Sequence, residues 1–204
     1  MLWTGNESNL DLEWMPESAR RLTLGNDTIN ATDAVRVLGV VVMPDLSLDK
    51  HVTAVSSKCF FQLCRVRRSL DDESVAMVVH AFVMSHIYYC NDLLAGAPKV
   101  VTDKLQRVMN SAAWVITNTR KFDHGLSHVQ REILHWLDVP EHVTFKQCLS
   151  VYKCLHGMRP PYLSEMCRPI SSFAGYHHLC SAFSFAGPLA WNGLLAYIPK
   201  RRFA

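Results

Sequence analysis

Two adjacent carboxylates, Asp71 and Asp72, are the residues of this sequence that come nearest to a catalytic metal pair. Such a pair can hold divalent cations that activate a hydroxyl nucleophile. That chemistry needs a strand-turn-strand setting and a third carboxylate, whereas Ser69 and Asp71 precede an apolar run of helical character. Negative charge is favoured in the first turn of a helix by the helix dipole. The pattern therefore predicts a helix cap here and no metal pair.

Imidazole and thiol groups are the other candidates for chemistry, with ten histidines and seven cysteines in 204 residues. Zinc sites use closely spaced ligand pairs, and the chain has no Cys-x-x-Cys pair. His177-His178 is the pair that we would test for a metal, although loop residues that bind nothing give the same pattern. The other candidates do not fall at zinc-finger spacing: Cys148, Cys154, His156, Cys167 and Cys180. The sequence therefore predicts no metal site.

Nucleophilic catalysis has little support in the sequence. Cys90 and nearby histidines could act as nucleophile and base, but Cys90 lies in an apolar run that is typical of a buried, inert thiol. The Gly-x-Ser-x-Gly, P-loop and Gly-x-Gly-x-x-Gly motifs are all absent from the sequence. We therefore expect the isolated chain to be no enzyme, with no catalytic residue and no cofactor.

Basic residues near aromatic residues form the sequence pattern that most clearly indicates a function. At helical spacing, Lys58, Arg65 and Arg68 fall on roughly one side, next to the pair Phe60-Phe61. Lys104 and Arg107 continue the basic pattern further along the chain. A stripe of this kind can face a phosphate backbone, and an ordinary solvated helix face gives the same spacing. Both interpretations remain open from the spacing alone.

Strand and turn signals are confined to the first part of the chain. Leu22-Thr23-Leu24, a turn at Gly25-Asn26-Asp27 and Ile29 predict a hairpin. Residues 35–43 are rich in valine and predict one strand, interrupted by Gly39, buried on both faces after it and ended by Pro44-Asp45.

Helical periodicity dominates after residue 46, so the predicted fold class is mainly α with a small N-terminal β element (α+β). Residues 47–120 predict three helices joined by short connections, which is typical of a small bundle. Two further helices, over 127–137 and 140–156, fall within an extension at 121–168. Residues 169–199 contain no Asp, Glu, Lys or Arg and no periodicity, so we expect the tail at 169–204 to be poorly ordered or to need a partner surface.

Charge divides the chain near residue 34. The first 34 residues carry a net charge of −4 and the remaining 170 carry +7, which indicates two physical units, the second suited weakly to a polyanion. The odd number of cysteines in apolar runs favours a reduced, intracellular protein. Residues 74–91 lack a formal charge, as a membrane helix would, but a helix buried in a bundle has the same composition and is what we expect.

A series of short strings follows one order along residues 20–192. They are Val37-Leu38-Gly39-Val40, Asp45-Leu46-Ser47-Leu48-Asp49-Lys50-His51-Val52, Val79-His80-Ala81-Phe82-Val83, Tyr89-Cys90-Asn91, Leu94-Ala95-Gly96, Lys104-Leu105-Gln106-Arg107-Val108, Leu134-His135-Trp136-Leu137-Asp138-Val139-Pro140, Tyr152-Lys153-Cys154-Leu155-His156-Gly157, Pro161-Tyr162-Leu163, Ala186-Gly187-Pro188 and Trp191-Asn192. In this order they resemble the reverse transcriptases of non-LTR retrotransposons (LINE elements) of the jockey and chicken-repeat type.

The resemblance implies a role for each part of the chain. Residues 1–46 would be a remnant of the palm edge with the primer grip, whose candidate residues are Leu38, Gly39 and Val40. Residues 47–120 would be the thumb, with the basic side chains named above as candidates for contact with a template-primer duplex of RNA and DNA. Mg²⁺ would belong only to an intact parent enzyme, because its catalytic carboxylates have no counterpart here.

Departures from the family limit the function that we expect. The aromatic-Ala-Asp-Asp motif is absent, so we expect a fragment of an RNA-directed DNA polymerase whose remaining role is at most duplex binding. One alternative is a domesticated helical module that binds a protein through exposed apolar surface; another is a nonfunctional translated relic. The nucleus and the cytoplasm remain equally open as its location.

Overall fold

The computed structural model describes residues 21–30, 32–67, 70–118, 125–165, 167 and 183–197. Within them the chain is mainly helical, with two small antiparallel strand pairs near its N-terminus, which confirms the predicted fold class. It divides into two compact units, residues 1–52 and residues 53–204.

The first strand pair lies where the turn signals predict it. Strands β1 (Arg21–Leu24) and β2 (Asp27–Asn30) are antiparallel, with Leu24 opposite Asp27. Gly25 in the connecting turn has φ +65°, a conformation that glycine adopts without a steric penalty. The predicted hairpin is therefore confirmed.

The valine-rich segment is a second hairpin, so the prediction of one strand over residues 35–43 is wrong. Strands β3 (Val35–Val37) and β4 (Val40–Val42) pair in antiparallel register, with Val37 opposite Val40. Leu38 and Gly39 between them have φ +48° and +86°, as a two-residue turn of the I′ type requires. The predicted burial on both faces after Gly39 is also wrong, because Val40 is buried but Val41 and Val42 are only half-buried.

The long helix α1 (Asp49–Val66) begins in the first unit and continues through the second. After it come α2 (Asp72–Val78), a π-helical run (Val79–Met84), and α3 (Ser85–Tyr88). A 3₁₀ turn (Asn91–Leu94) leads into α4 (Lys99–Thr117). Residues 47–120 thus contain three helical runs, as the periodicity predicts.

The core of the second unit is built from one stripe of each of these runs. Cys59 of α1, Val79 and Val83 of the π-helical run, and Val108 and Ala112 of α4 are fully buried. Within the uncharged segment 74–91 one side is buried, including Val79, Val83 and Ile87, whereas Met77, Phe82 and Tyr89 are more than half exposed. No helix among the described residues is long and apolar enough to span a membrane.

The described residues of the second half of this unit form two short and two long α-helices. Helix α5 (Leu126–His128) passes into a π-helical run (Val129–Ile133), so the helix predicted over 127–137 ends at Ile133, and His135 beyond it has φ +53°. Helix α6 (Val139–Leu155) starts with a capping box formed by Asp138 and Glu141. Helix α7 (Pro161–Ser164) is a single turn, and α8 (Phe183–Tyr197) packs against α6.

Helix α8 lies in the tail for which we expected poor order. Its sequence has no single apolar stripe because apolar residues lie all around the helix. Ala186 and Gly187 are buried, and a Cβ atom on Gly187 would lie 3.0 Å from Cγ2 of Val151 on α6. Residues 183–197 thus form a helix that packs on α6, and the rest of the tail lies outside the described residues.

Candidate nucleic-acid interface

Helix α1 presents an exposed half along the second unit. At about 100° per residue, its exposed residues from Thr53 onward span roughly half of the helix circumference, with Phe61 near the middle. Phe61 is 63% exposed. We call this half of α1, together with Lys104 of α4 beside it, the cationic face.

Lys58 lies at one edge of the cationic face and contacts α3. Its ammonium group donates a hydrogen bond to Nε2 of His86, at 2.8 Å. The Nδ1–H of the same imidazole donates to the backbone carbonyl of Phe82, one turn earlier in the π-helical run. Lys58 is thus held in place by a neutral group, and its charge is not cancelled there.

Arg65 lies two turns beyond Lys58 on the same edge. Its guanidinium carbon is 5.7 Å from the centre of the Phe61 ring, a cation–π arrangement. A planar cation beside an exposed aromatic ring is a combination that can contact a phosphate and stack on a base.

Lys104 lies at the opposite edge of the cationic face. Its Nζ donates to Oγ1 of Thr53 at 3.0 Å, which fixes α4 beside α1. Arg107 is exposed one turn further along α4. The structure therefore distributes the predicted basic residues over two edges with Phe61 between them, while Arg68 lies outside the described residues.

The electrostatics of this surface follow from its composition. Residues 50–66 and 79–91 contain no Asp or Glu, so neither α1 beyond its first residue nor the π-helical run and α3 carry a carboxylate. Positive side chains attract polyanions over a Debye length, about 10 Å at 0.1 M salt. The cationic face is thus suited to a phosphate backbone.

The primer-grip candidates lie at the tip of the second hairpin, in the first unit. Leu38 is 85% exposed, Gly39 is exposed beside it, and Val40 is buried. Leu38 and Gly39 are thus accessible for contact, whereas Val40 has a packing role.

Asp71 of the carboxylate pair has the capping role that the sequence predicts. Asp71 is the N-cap of α2, and its Oδ2 accepts a hydrogen bond from the backbone N–H of Ser74 at 3.3 Å. Hydrogen bonds from Ser74 lower the pKa of Asp71. Across the described ranges, no three of the His, Cys, Asp and Glu side chains form a group that could hold a metal ion; His177 and His178 lie outside those ranges.

Sequence reasoning missed a polar network that joins α4 to the start of α6. Oε1 of Gln106 accepts the backbone N–H of Val139 at 2.8 Å, and Nε2 of Gln106 donates to Asn110 and Asp138 at 3.0 and 3.2 Å. Arg131 pairs with Asp138 at 3.1 Å. The signal was present, because Gln106 and residues 134–140 belong to strings that carry the family resemblance.

Comparison with protein-family models, with curated proteins and with solved structures gives no match for this chain.

Proposed function

We propose that the cationic face binds the backbone of an RNA/DNA template-primer duplex, and that the chain is a fragment of a retrotransposon reverse transcriptase without polymerase activity of its own. The observation that carries this proposal is the exposed half of α1, which has Lys58 and Arg65 at one edge, Lys104 at the other, and Phe61 between them. The order of the family-like strings supports the parentage.

Binding would be electrostatic and would read little sequence. Lysine and arginine contacts to phosphates position a duplex without identifying bases. A hybrid duplex is recognised largely through its shape, its phosphates and its 2′-hydroxyl groups. The exposed hairpin tip at Leu38 and Gly39 is a candidate second contact.

Fluorescence polarisation with a labelled RNA/DNA hybrid of about two helical turns tests the proposal. Binding should weaken steeply between 50 and 200 mM salt, because each phosphate contact contributes about −0.9 to the slope of log K against log salt. The double variant Lys58→Ala/Arg65→Ala should make that slope shallower by about 2. Lys153→Ala/Arg159→Ala removes the same charge from α6 and the loop after it, and is the matched control. An unchanged slope in the first double variant, or no binding at low salt, overturns the proposal.

A primer-extension assay tests the absence of polymerase activity. We expect no extension from the full chain with Mg²⁺ present. Extension that is lost in Asp71→Ala would contradict the capping role of that carboxylate.

The alternative function, binding of a protein partner, is favoured by apolar side chains on α6. Phe145, Leu149 and Tyr152 follow one face of this helix and are 52%, 38% and 42% exposed. A photo-reactive phenylalanine analogue placed at position 61 or at position 149 distinguishes the two functions in cells. Nucleic acid cross-linked at 61 supports duplex binding, and one discrete protein cross-linked at 149 supports the alternative.

A further inference from the structure

The hydrogen bonds of His86 define which nitrogen of its imidazole ring carries the proton. An ammonium group has donors and no acceptor, so Nε2 of His86 must accept the 2.8 Å hydrogen bond and carry no proton. The proton of the neutral ring is then on Nδ1, which donates to the carbonyl of Phe82. Both imidazole nitrogens are therefore engaged, Nε2 by the Lys58 ammonium group and Nδ1 by the Phe82 carbonyl.

An anion at this point would reverse that preference. A phosphate oxygen placed between Nζ and Nε2 can accept from both groups only if Nε2 carries a proton. The negative charge of the phosphate stabilises the resulting imidazolium and offsets its repulsion by the Lys58 ammonium group. We propose that Lys58 and His86 form a phosphate-binding site, and that each phosphate bound there takes up one proton from solvent onto Nε2 of His86.

The elements around His86 carry several other titratable groups. On α1, Lys58 and Arg65 are cations, and the buried Cys59 thiol has a pKa raised to about 11 by its burial, so it stays neutral. On the π-helical run, His80 packs edge-on against Trp136, and on α3 itself the Tyr88 ring stacks on His142.

Carboxylates do not compete for the two cations. Helix α4 packs against the π-helical run and carries Asp103, while Asp92 lies on the 3₁₀ turn after α3. Within the described part of the chain, neither carboxylate forms an ion pair with Lys58 or His86. The site thus has two donors, a net positive charge when protonated, and no internal anion.

This inference rests on the proposed function, because the phosphate would come from the backbone of the bound duplex. It adds a pH dependence to that binding. Histidine changes its charge between pH 5 and 8, and uptake of one proton strengthens binding by up to about tenfold per pH unit across its titration. Duplex binding should therefore strengthen as the pH falls.

The test measures affinity for the hybrid at pH 6.0 and pH 8.0 at one ionic strength. Wild-type chain should bind several-fold more tightly at pH 6.0, and His86→Gln, which keeps a polar side chain but cannot titrate, should lose most of that ratio. His128→Gln removes another exposed histidine of the same unit and should keep the wild-type ratio. Circular dichroism of each variant verifies that it is folded, and Lys58→Gln is the second variant should His86→Gln fail to fold.

A second experiment tests the phosphate site independently of duplex binding. The NMR titration of the His86 ring proton is followed with and without inorganic phosphate, which should move the titration midpoint to higher pH. If the hybrid does not bind but phosphate moves the midpoint, duplex binding is wrong and the phosphate site stands. If the hybrid binds with equal pH ratios in wild type and His86→Gln, duplex binding stands and the proton-coupled site is overturned. A midpoint that phosphate leaves unchanged also overturns the site.

Discussion

Two cysteines of α1 differ in reactivity because they face opposite sides of the helix. Cys59 is fully buried, and burial raises the pKa of its thiol to about 11, whereas Cys64 is exposed. The thiolate is the reactive form, and a thiol with that pKa is about 0.1% ionised at pH 8. Alkylation of the native protein should therefore modify Cys64 rapidly and Cys59 only after unfolding. Peptide mass spectrometry of a time course measures both, and equal rates would contradict the burial of Cys59.

His142 makes the stability of the second unit depend on pH. Its Nδ1 accepts from Asn91 at 2.9 Å, and burial, with a smaller effect of the Lys146 charge, lowers its pKa below 6.5. The unfolded chain then binds the proton more tightly, so the free energy of unfolding is retained above pH 6.5 and is lost as the pH falls through the pKa of the folded state.

Urea unfolding at pH 7.5 and pH 5.5 measures this effect. The wild-type chain should lose more stability on acidification than His142→Gln does. The exposed His128→Gln is the control and should behave as wild type. Equal pH dependence in all three chains would show that His142 is protonated without cost.

Gln106 should be important for stability despite being a polar residue on a helix surface. Replacement by alanine leaves the Val139 N–H without its 2.8 Å partner and removes the bonds to Asn110 and Asp138. Loss of a partner for a buried or half-buried polar group costs about 1–3 kcal/mol. Gln106→Ala should lower the free energy of unfolding by that amount in a urea titration. The adjacent exposed Arg107→Ala should change it by less than about 0.5 kcal/mol; a similar loss in both would argue against the network.

At the scale of elements, the packing of α8 on α6 gives a matched pair of glycine substitutions. A Cβ on Gly187 would lie 3.0 Å from the stiff, buried Val151, whereas one on Gly193 meets nothing within 4 Å. Alanine is favoured over glycine in a helix by about 1 kcal/mol. Gly193→Ala should therefore raise stability by up to that amount, and Gly187→Ala should give no gain or a loss. Thermal melts of the two variants measure the difference; an equal gain in both would mean that α8 is not seated closely on α6.

Elements with one clear period were predictable, and those that depend on an unusual backbone conformation were not. The stripes of α1 and α4 follow from apolar spacing. Residues 35–43 read as one strand because valine is favoured in strands, and a leucine at positive φ, as in Leu38, is uncommon. A π-helical run keeps the composition of an α-helix, so Val79–Met84 had no separate signal.

Only part of the candidate site was predictable from the sequence. Lys58 and Arg65 are placed on one face by helical spacing alone. His86 is 28 residues from Lys58, and its role depends on how α3 meets α1, which no local pattern specifies.

At the scale of the whole molecule, the two units differ in composition as well as in packing. Residues 1–52 carry four Lys or Arg and eight Asp or Glu, a net charge of −4, whereas residues 53–204 carry 17 and ten, a net charge of +7. A fragment of residues 47–204, which keeps α1 complete, should retain its helical circular dichroism and unfold in one cooperative transition. Loss of helix in that fragment would contradict the assignment of a self-sufficient second unit.

The Gln106 network also predicts which positions should change together in related sequences. Two strings that lie about thirty residues apart in the sequence meet through one side-chain amide, which accepts from Val139 and donates to Asp138. A substitution in either string would leave a polar group of the other string without its hydrogen-bond partner. In descendants of this sequence, substitutions at Gln106 and at Asp138 should therefore occur together.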